Sequence, residues 1–113
     1  MARFETDAFI EILPRRETDN SRMFAALGLR PRTRFTCADS LAALSMVEAG
    51  LGVTLVNALL LENWQGRTAA LPLDPPQPVE IGIAMPDRAE LSPVAAAFLE
   101  LLHRPARPTQ HEA

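Results

Sequence analysis

Two adjacent arginines are the residues of this sequence best suited to bind a ligand. Arg15 and Arg16 follow a short apolar run at residues 9–13, which indicates a strand, and they precede a predicted helix. Two guanidinium groups and the free N–H groups of a helix N-terminus suit a small carboxylate or phosphate. Glu17 and Asp19 are close enough in sequence to neutralise the pair, so plain exposure to solvent is an equally good interpretation.

Signatures of catalysis, metal binding and cofactor binding are missing from the sequence. The chain has no Lys, which excludes Schiff-base chemistry and a Walker-type phosphate site. Cys37 has no His near it in the pattern, so a small core residue is a better interpretation than a nucleophile. The two histidines lack the spacing of a zinc site, and Gly50 and Gly52 precede a predicted strand, where a dinucleotide motif would follow one. We therefore predict no enzyme, no metal and no cofactor.

The composition indicates one soluble globular domain. The chain has 113 residues, of which 48% are hydrophobic and 22% charged, and its single cysteine excludes a disulfide framework. A net charge of -3 provides no field that would hold a polyanion, so we expect no direct binding of nucleic acid. The longest apolar stretch, residues 51–61, is too short to cross a bilayer, and the first residues do not open a signal peptide. We therefore expect a cytoplasmic protein without membrane contact.

Alternating strands and helices must position the arginines. The predicted elements are a strand at residues 9–13, a helix from Thr18 or Asp19 to Gly28, a strand at 33–37, a helix from Asp39 or Ser40 to Gly50, a strand at 53–56 and a turn of helix at 57–64. Such alternation within fifty residues predicts an α/β fold in which parallel strands are flanked by helices. The second helix is apolar nearly all round, and Leu44 is predicted to be buried in it.

The later part of the chain has a different pattern. Residues 74–78 form a stiff Pro-rich linker, and residues 79–85 alternate in a way that makes them the clearest strand of the sequence. A helix is predicted to begin at Ser92 and Pro93. Its predicted buried stripe consists of Val94, Phe98, Leu101 and Leu102. Residues 1–7 are predicted to be a polar start and residues 105–113 a disordered tail.

Three predicted loops follow strands and precede helices. Because parallel strands end at the same edge of a sheet, these loops are expected to form one polar crevice, where ligands of open α/β sheets bind. The polar residues expected there are Arg15, Arg16, Thr18, Asp39, Ser40 and Asn57. The pattern therefore indicates a binding surface without catalytic machinery.

Several motifs resemble the effector-binding domain of LysR-type transcriptional regulators. They are FTCADS at residues 35–40, MVEAGLGV at 46–53, LPL at 71–73, and SP at 92–93 with Phe98. The resemblance runs from about Phe4 to Arg104. It implies a periplasmic-binding-protein-like (type II) fold, in which a small molecule binds between two α/β subdomains. Residues 8–73 would form the second subdomain, and residues 79–104 would be the return strand and C-terminal helix that normally belong to the first.

The resemblance also implies a set of effector contacts. Carried over by position, they fall on Pro14, Arg15, Arg16 and Thr18 in the first loop, on Ala38, Asp39 and Ser40 in the second, and on Asn57 in the third. The family frequently has Pro after the third strand, and Asn57 could contact an effector or cap a helix instead.

The function implied by the resemblance is the binding of a small effector by a fragment of a transcriptional regulator. The family's DNA-reading segment has no counterpart here, so such a fragment would not bind DNA itself. Without the first subdomain, the apolar residues at 79–85 and on the last helix would be exposed, which predicts a homodimer or other self-association. The alternative is a stand-alone small-molecule binding module related to solute-binding proteins.

Overall fold

The computed structural model describes residues 4–104. Its regular elements are the strands β1 (Phe9–Ile12) and β2 (Thr33–Cys37), the helices α1 (Asp19–Leu27), α2 (Ser40–Glu48) and α3 (Pro93–Leu102), and short 3-10 helices at Ala58–Leu60 and Arg88–Glu90. The chain divides after Glu80 into two compact units. The predicted α/β class is confirmed, whereas the predicted disordered tail at 105–113 lies outside the described residues.

Strand β1 pairs in parallel on both of its sides. The N–H of Phe9 donates to the carbonyl of Arg32 just before β2 (2.9 Å), and the N–H of Ile10 donates to the carbonyl of Val53 on the opposite side (2.9 Å). Ile10 is completely buried as a result. The predicted parallel direction is thus confirmed for β1 and β2 and holds for the bridge to Val53.

The predicted third strand at 53–56 is reduced to a single bridge. In a continuing parallel ladder the Ile10 carbonyl would accept from a backbone N–H, but it accepts from the Thr54 hydroxyl at 2.9 Å. The carbonyl of Leu55 accepts from the side-chain amide of Asn20 at 2.8 Å. Side chains therefore replace the backbone groups that would have extended the strand. The turn of helix predicted at 57–64 is shorter too, since only Ala58–Leu60 is helical, as a 3-10 turn.

Local capping sets where the three α-helices begin and end. Thr18, Asp39 and Ser92 are the N-caps, and each side-chain oxygen accepts a backbone N–H of the first helical turn. Gly28 (φ 65°) follows α1 and Gly50 (φ 78°) follows α2, both in the left-handed conformation that glycine adopts without strain. The predicted helix starts are confirmed because they depend only on neighbouring residues.

An aromatic cluster forms the core of the first unit. Phe4, Phe9 and Phe24 are buried and meet edge to face, with ring centroids 5.2 to 5.7 Å apart. Phe4 belongs to the segment predicted as a polar start, yet its side chain is part of this core. On the other helix, Ala43 and Leu44 of α2 are buried as well.

The predicted strand at 79–85 is wrong for this structure. Residues 79–85 form no ladder with any other part of the chain between residues 4 and 104, and the side chains of Val79, Ile81, Ile83 and Met85 are exposed. An alternating pattern shows which side chains share a face, but a strand also needs a neighbouring backbone to pair with. The described chain does not provide that neighbour.

The buried stripe predicted for α3 is wrong as well. Val94 is 80% exposed and Phe98, Leu101 and Leu102 are exposed too, whereas Leu99 is the buried residue of this helix. The apolar spacing was correct, but the covered side of the helix is one residue away from the predicted one. We infer that the predicted stripe is left as an apolar surface.

The burial of Leu44 leads to a stability prediction. Replacing Leu44 by Ala should lower the free energy of unfolding by about 2–5 kcal/mol, because the lost side chain leaves a cavity in a packed core. Leu41→Ala is the matched control: it makes the same truncation on the same helix at a side chain that is 57% exposed, against 3% for Leu44. It should change the free energy by no more than about 0.5 kcal/mol. Urea denaturation of both variants would measure the difference, and equal midpoints would contradict the assigned helix face.

Candidate functional site

The three predicted loops lie at one edge of the small sheet. β1, β2 and the chain segment through Val53 run in the same direction. The loops that follow them therefore lie on the same side of the sheet. The N–H of Leu13 donates to the carbonyl of Cys37 (3.0 Å), which ties the end of β1 to the end of β2. The amide of Asn20 ties the first turn of α1 to Leu55. These bonds hold the three loop starts close together.

The first loop is a tight turn with exposed side chains. Pro14, Arg15 and Arg16 are all exposed. Leu13 (φ 51°) and Arg15 (φ 66°) adopt the left-handed region, which is uncommon for residues other than glycine. The N–H of Arg16 donates to the carbonyl of Leu13 at 3.3 Å and closes the turn.

The acidic neighbours of the arginine pair are engaged elsewhere. Arg22, one turn into α1, forms ion pairs with Glu17 (3.5 Å) and with Asp19. The hydrogen bond and the charge of Asp19 raise the pKa of Arg22. Within residues 4–104, Arg15 and Arg16 have no ion-pair partner. The sequence left open whether Glu17 and Asp19 pair with the two arginines. In the structure both carboxylates pair with Arg22 instead.

Three of the predicted site residues act as helix caps. The side-chain oxygen of Thr18 accepts from the N–H of Ser21 (3.1 Å), that of Asp39 from Ala42 (2.8 Å), and that of Asn57 accepts from the N–H of Leu59 (2.9 Å). Of the two roles open for Asn57, the structure contains the capping one.

The remaining residues of the second loop lie beside its cap. Ala38 is exposed, and Ser40 is half-buried as the first residue of α2. The structure thus brings the predicted site residues to one edge, where Arg15 and Arg16 carry positive charge, Asp39 carries negative charge, and capping side chains lie beside them.

The surroundings of Cys37, at the end of β2, favour its protonated thiol over the thiolate. It is half-buried, and its Sγ lies 3.4 Å from the Asp39 carbonyl and 3.8 Å from the Glu11 carbonyl. Burial raises the pKa of the Cys37 thiol, a backbone hydrogen bond with Asp39 opposes this, and the Asp39 charge raises the pKa further. A raised pKa favours the interpretation of Cys37 as a packing residue over a nucleophile.

Sequence reasoning missed two residues that shape this edge. Asn20 bonds to Leu55, which is 35 positions away, and no local pattern announces such a contact. Arg22 could have been found, because its spacing of three from Asp19 is that of a helical ion pair.

Neither a metal cluster nor a membrane-spanning helix is found among the described residues. Between residues 4 and 104 no group of three or more His, Cys, Asp or Glu side chains is arranged to hold a metal ion. No helix in that range is long and apolar enough to cross a membrane.

Comparison with known families assigns the chain. It matches the family described as LysR substrate binding domain over residues 14–107, which is well over half of its 113 residues. No curated protein and no solved structure matches it significantly. The matched range includes the three loops at the sheet edge and α3. The motif resemblance is thereby confirmed, and the chain belongs to the LysR substrate binding domain family.

Proposed function

We propose that this chain binds a small anionic effector at the edge formed by its three loops, as part of a LysR-type transcriptional regulator. The family match supports effector binding, and LysR substrate-binding domains are regulatory ligand-binding modules. The family also implies the periplasmic-binding-protein-like type II fold. The effector contacts in this proposal are Pro14, Arg15, Arg16, Thr18, Ala38, Asp39, Ser40 and Asn57.

One observation supports the anionic character of the effector. Arg22 holds Glu17 and Asp19, and the charged residues from Arg15 to Arg22 together keep a net charge of about +1. Two exposed guanidinium groups on one tight turn can bind a carboxylate or phosphate through charge-assisted hydrogen bonds. The exposed position of both residues leaves them accessible to a ligand.

The capping residues have an indirect role in this proposal. The oxygens of Thr18, Asp39 and Asn57 accept backbone N–H groups of their own helices, so they order the loops. Other N–H groups of the same helix starts carry partial positive charge and add to the attraction of an anion. Recognition of charge therefore rests on the arginines, and the caps hold the surfaces beside them.

Effector occupancy would act on the regulator by shifting a conformational equilibrium. A ligand can shift such an equilibrium only by the difference in its affinity for the two states. In the type II fold a second lobe faces this edge, and a closed state would add contacts from that lobe to those of the arginines. We also propose that the protein acts in the cytoplasm and that its action is binding rather than catalysis.

We further propose that this chain self-associates through α3. Val94, Phe98, Leu101 and Leu102 leave an apolar surface on the helix, next in sequence to the exposed apolar residues of 79–85. Contiguous exposed apolar patches favour association between protein molecules. A second copy of the chain carries the same patch and is the partner that we assign to it.

The arginine pair provides the main test of effector binding. Replacing Arg15 and Arg16 by Ala should weaken binding of an anionic effector by about 2 kcal/mol, or about thirtyfold in Kd, because charge-assisted hydrogen bonds are lost. Calorimetry with a panel of small dicarboxylates and phosphate esters would identify a ligand and measure the loss. The double variant R30A/R34A removes the same charge from exposed arginines before and within β2 and should bind like the parent. Equal losses in both double variants would contradict a specific site.

The charge at Asp39 can be measured through Cys37. Asp39→Asn keeps a helix cap but removes the negative charge, so the pKa of the Cys37 thiol should fall from its raised value. The rate of iodoacetamide alkylation against pH would then reach its midpoint at lower pH in the variant. Asp87→Asn, at an exposed residue of the second unit, should leave the midpoint unchanged. An unchanged midpoint in the Asp39 variant would show that its carboxylate does not act on the thiol.

Self-association can be tested on α3 by size-exclusion chromatography with light scattering. The parent chain should elute as a dimer or larger species, and Phe98→Glu should shift it toward monomer because a charge enters the apolar patch. Ala89→Glu adds the same charge at an exposed residue outside α3 and should keep the parent's mass. A monomeric parent would contradict the proposal.

A further inference from the structure

A pocket separate from the loop edge lies in the first unit. It has a volume of about 370 Å³, which is within the range of small-molecule sites. It is lined mainly by residues 53–55 and by residues of the segment 69–74. None of the predicted effector contacts lines it. Two of its lining residues, Phe4 and Asp7, precede β1, whereas the loops of the proposed effector site follow the strands.

The floor of this pocket is the hydrophobic core itself. Phe4 lines the pocket and is one of the three core aromatics, and Val53, Leu55 and Leu73 pack against the same cluster. Leu71 also lines the pocket, although 87% of it is exposed to solvent. An apolar group that entered the pocket would contact core residues and shield Leu71 from water, which favours binding.

The charged residues that line the pocket are both acidic. Asp7 and Asp74 are its charged lining residues, and within residues 4–104 neither carboxylate has a hydrogen-bond or ion-pair partner. The nearby Arg32 does not line the pocket and donates to the carbonyl of Thr6 at 3.2 Å. The charges that line the pocket are therefore negative.

We propose that this pocket binds a free organic amine, which consists of a small apolar body bearing one ammonium group. The apolar body would lie on the core floor, and the ammonium group would be placed near the carboxylates of Asp7 and Asp74. An anion of the same size would be repelled by both carboxylates, and a neutral molecule would gain only the apolar contacts. This site does not depend on the proposed effector site, whose ligand has the opposite charge.

Three probes of nearly equal shape test the proposal on the full chain. They are phenethylamine, the neutral 2-phenylethanol and the anionic 3-phenylpropionate, each titrated at low salt and followed by amide shifts in ¹H–¹⁵N spectra. The amine should shift residues 53–55 and 71–74 and bind about fivefold more tightly than the alcohol, the size expected of partly exposed charge pairs. The propionate should bind most weakly. No shift at these residues with about 10 mM amine, or equal affinity for amine and alcohol, would overturn the proposal.

Charge-removing variants identify the groups responsible. In the double variant D7N/D74N the preference for amine over alcohol should fall to about one, while the alcohol binds as before. Asp87→Asn removes an exposed carboxylate elsewhere and should keep the fivefold preference. A preference that survives in D7N/D74N would overturn the assignment of the ammonium group to these carboxylates.

Two further arms distinguish the pocket from the loop edge and from a surface that docks another protein. The variant R15A/R16A should bind the amine normally, so that failure of the effector proposal and failure of this one give different results. N-acetyl-lysine amide presents the same ammonium group as a protein side chain. Tighter binding of this probe than of phenethylamine would assign the pocket to a lysine of another protein and overturn the proposal of a free amine.

Discussion

Backbone pairing on both sides of β1 is the constraint from which the positions of the candidate residues follow. Phe9 bonds toward β2 and Ile10 bonds toward Val53, and both neighbours run parallel to β1. Parallel pairing sends each following loop to the same edge, so residues from three separate parts of the sequence meet there. Gly52 allows the segment through Val53 to approach β1, because a Cβ at that position would lie only 2.2 Å from the carbonyl oxygen of Ala8. The position of the third loop therefore depends on close backbone contact at the opposite end of the segment through Val53.

The polar side chains that cap the helices at this edge are less available for binding a ligand. An N-cap oxygen that accepts a backbone N–H stabilises its helix by about 0.5–2 kcal/mol, and a ligand that took over this oxygen would forfeit that stabilisation. Thr18, Asp39 and Asn57 are therefore better suited to hold the loops than to provide the main ligand contacts. Arg15 and Arg16 carry no such structural task. In the proposed site the arginines therefore determine the charge of the effector, and the capping residues do not.

Local features of the sequence predicted this fold well, and features that need a distant partner did not. Caps and left-handed glycines act within a few residues, and the helix starts at Thr18, Asp39 and Ser92 were correct for that reason. The prediction of a strand at 79–85 was wrong because an alternating pattern does not provide a neighbouring backbone with which to pair. The predicted third strand at 53–56 is reduced to one bridge. Thr54 and Asn20 donate side-chain hydrogen bonds to carbonyls that a backbone ladder would have used. Such competition depends on residues 35 to 44 positions apart, which no window of sequence contains.

Local ion pairing, rather than net charge, decides what each surface can bind. The chain carries a net charge of -3, from which attraction of an anion would not be expected. Around the start of α1, however, Arg22 pairs with two carboxylates, and together with Arg15 and Arg16 these groups keep a net positive charge. The pocket beside Val53 has the opposite charge, since the carboxylates of Asp7 and Asp74 have no ion-pair partner within residues 4–104. Charges separated by more than about 8–10 Å are largely screened at physiological ionic strength, so each surface acts mainly through its own uncompensated groups. The proposed anion site at the loop edge and the proposed amine site in the pocket are therefore compatible in one small chain.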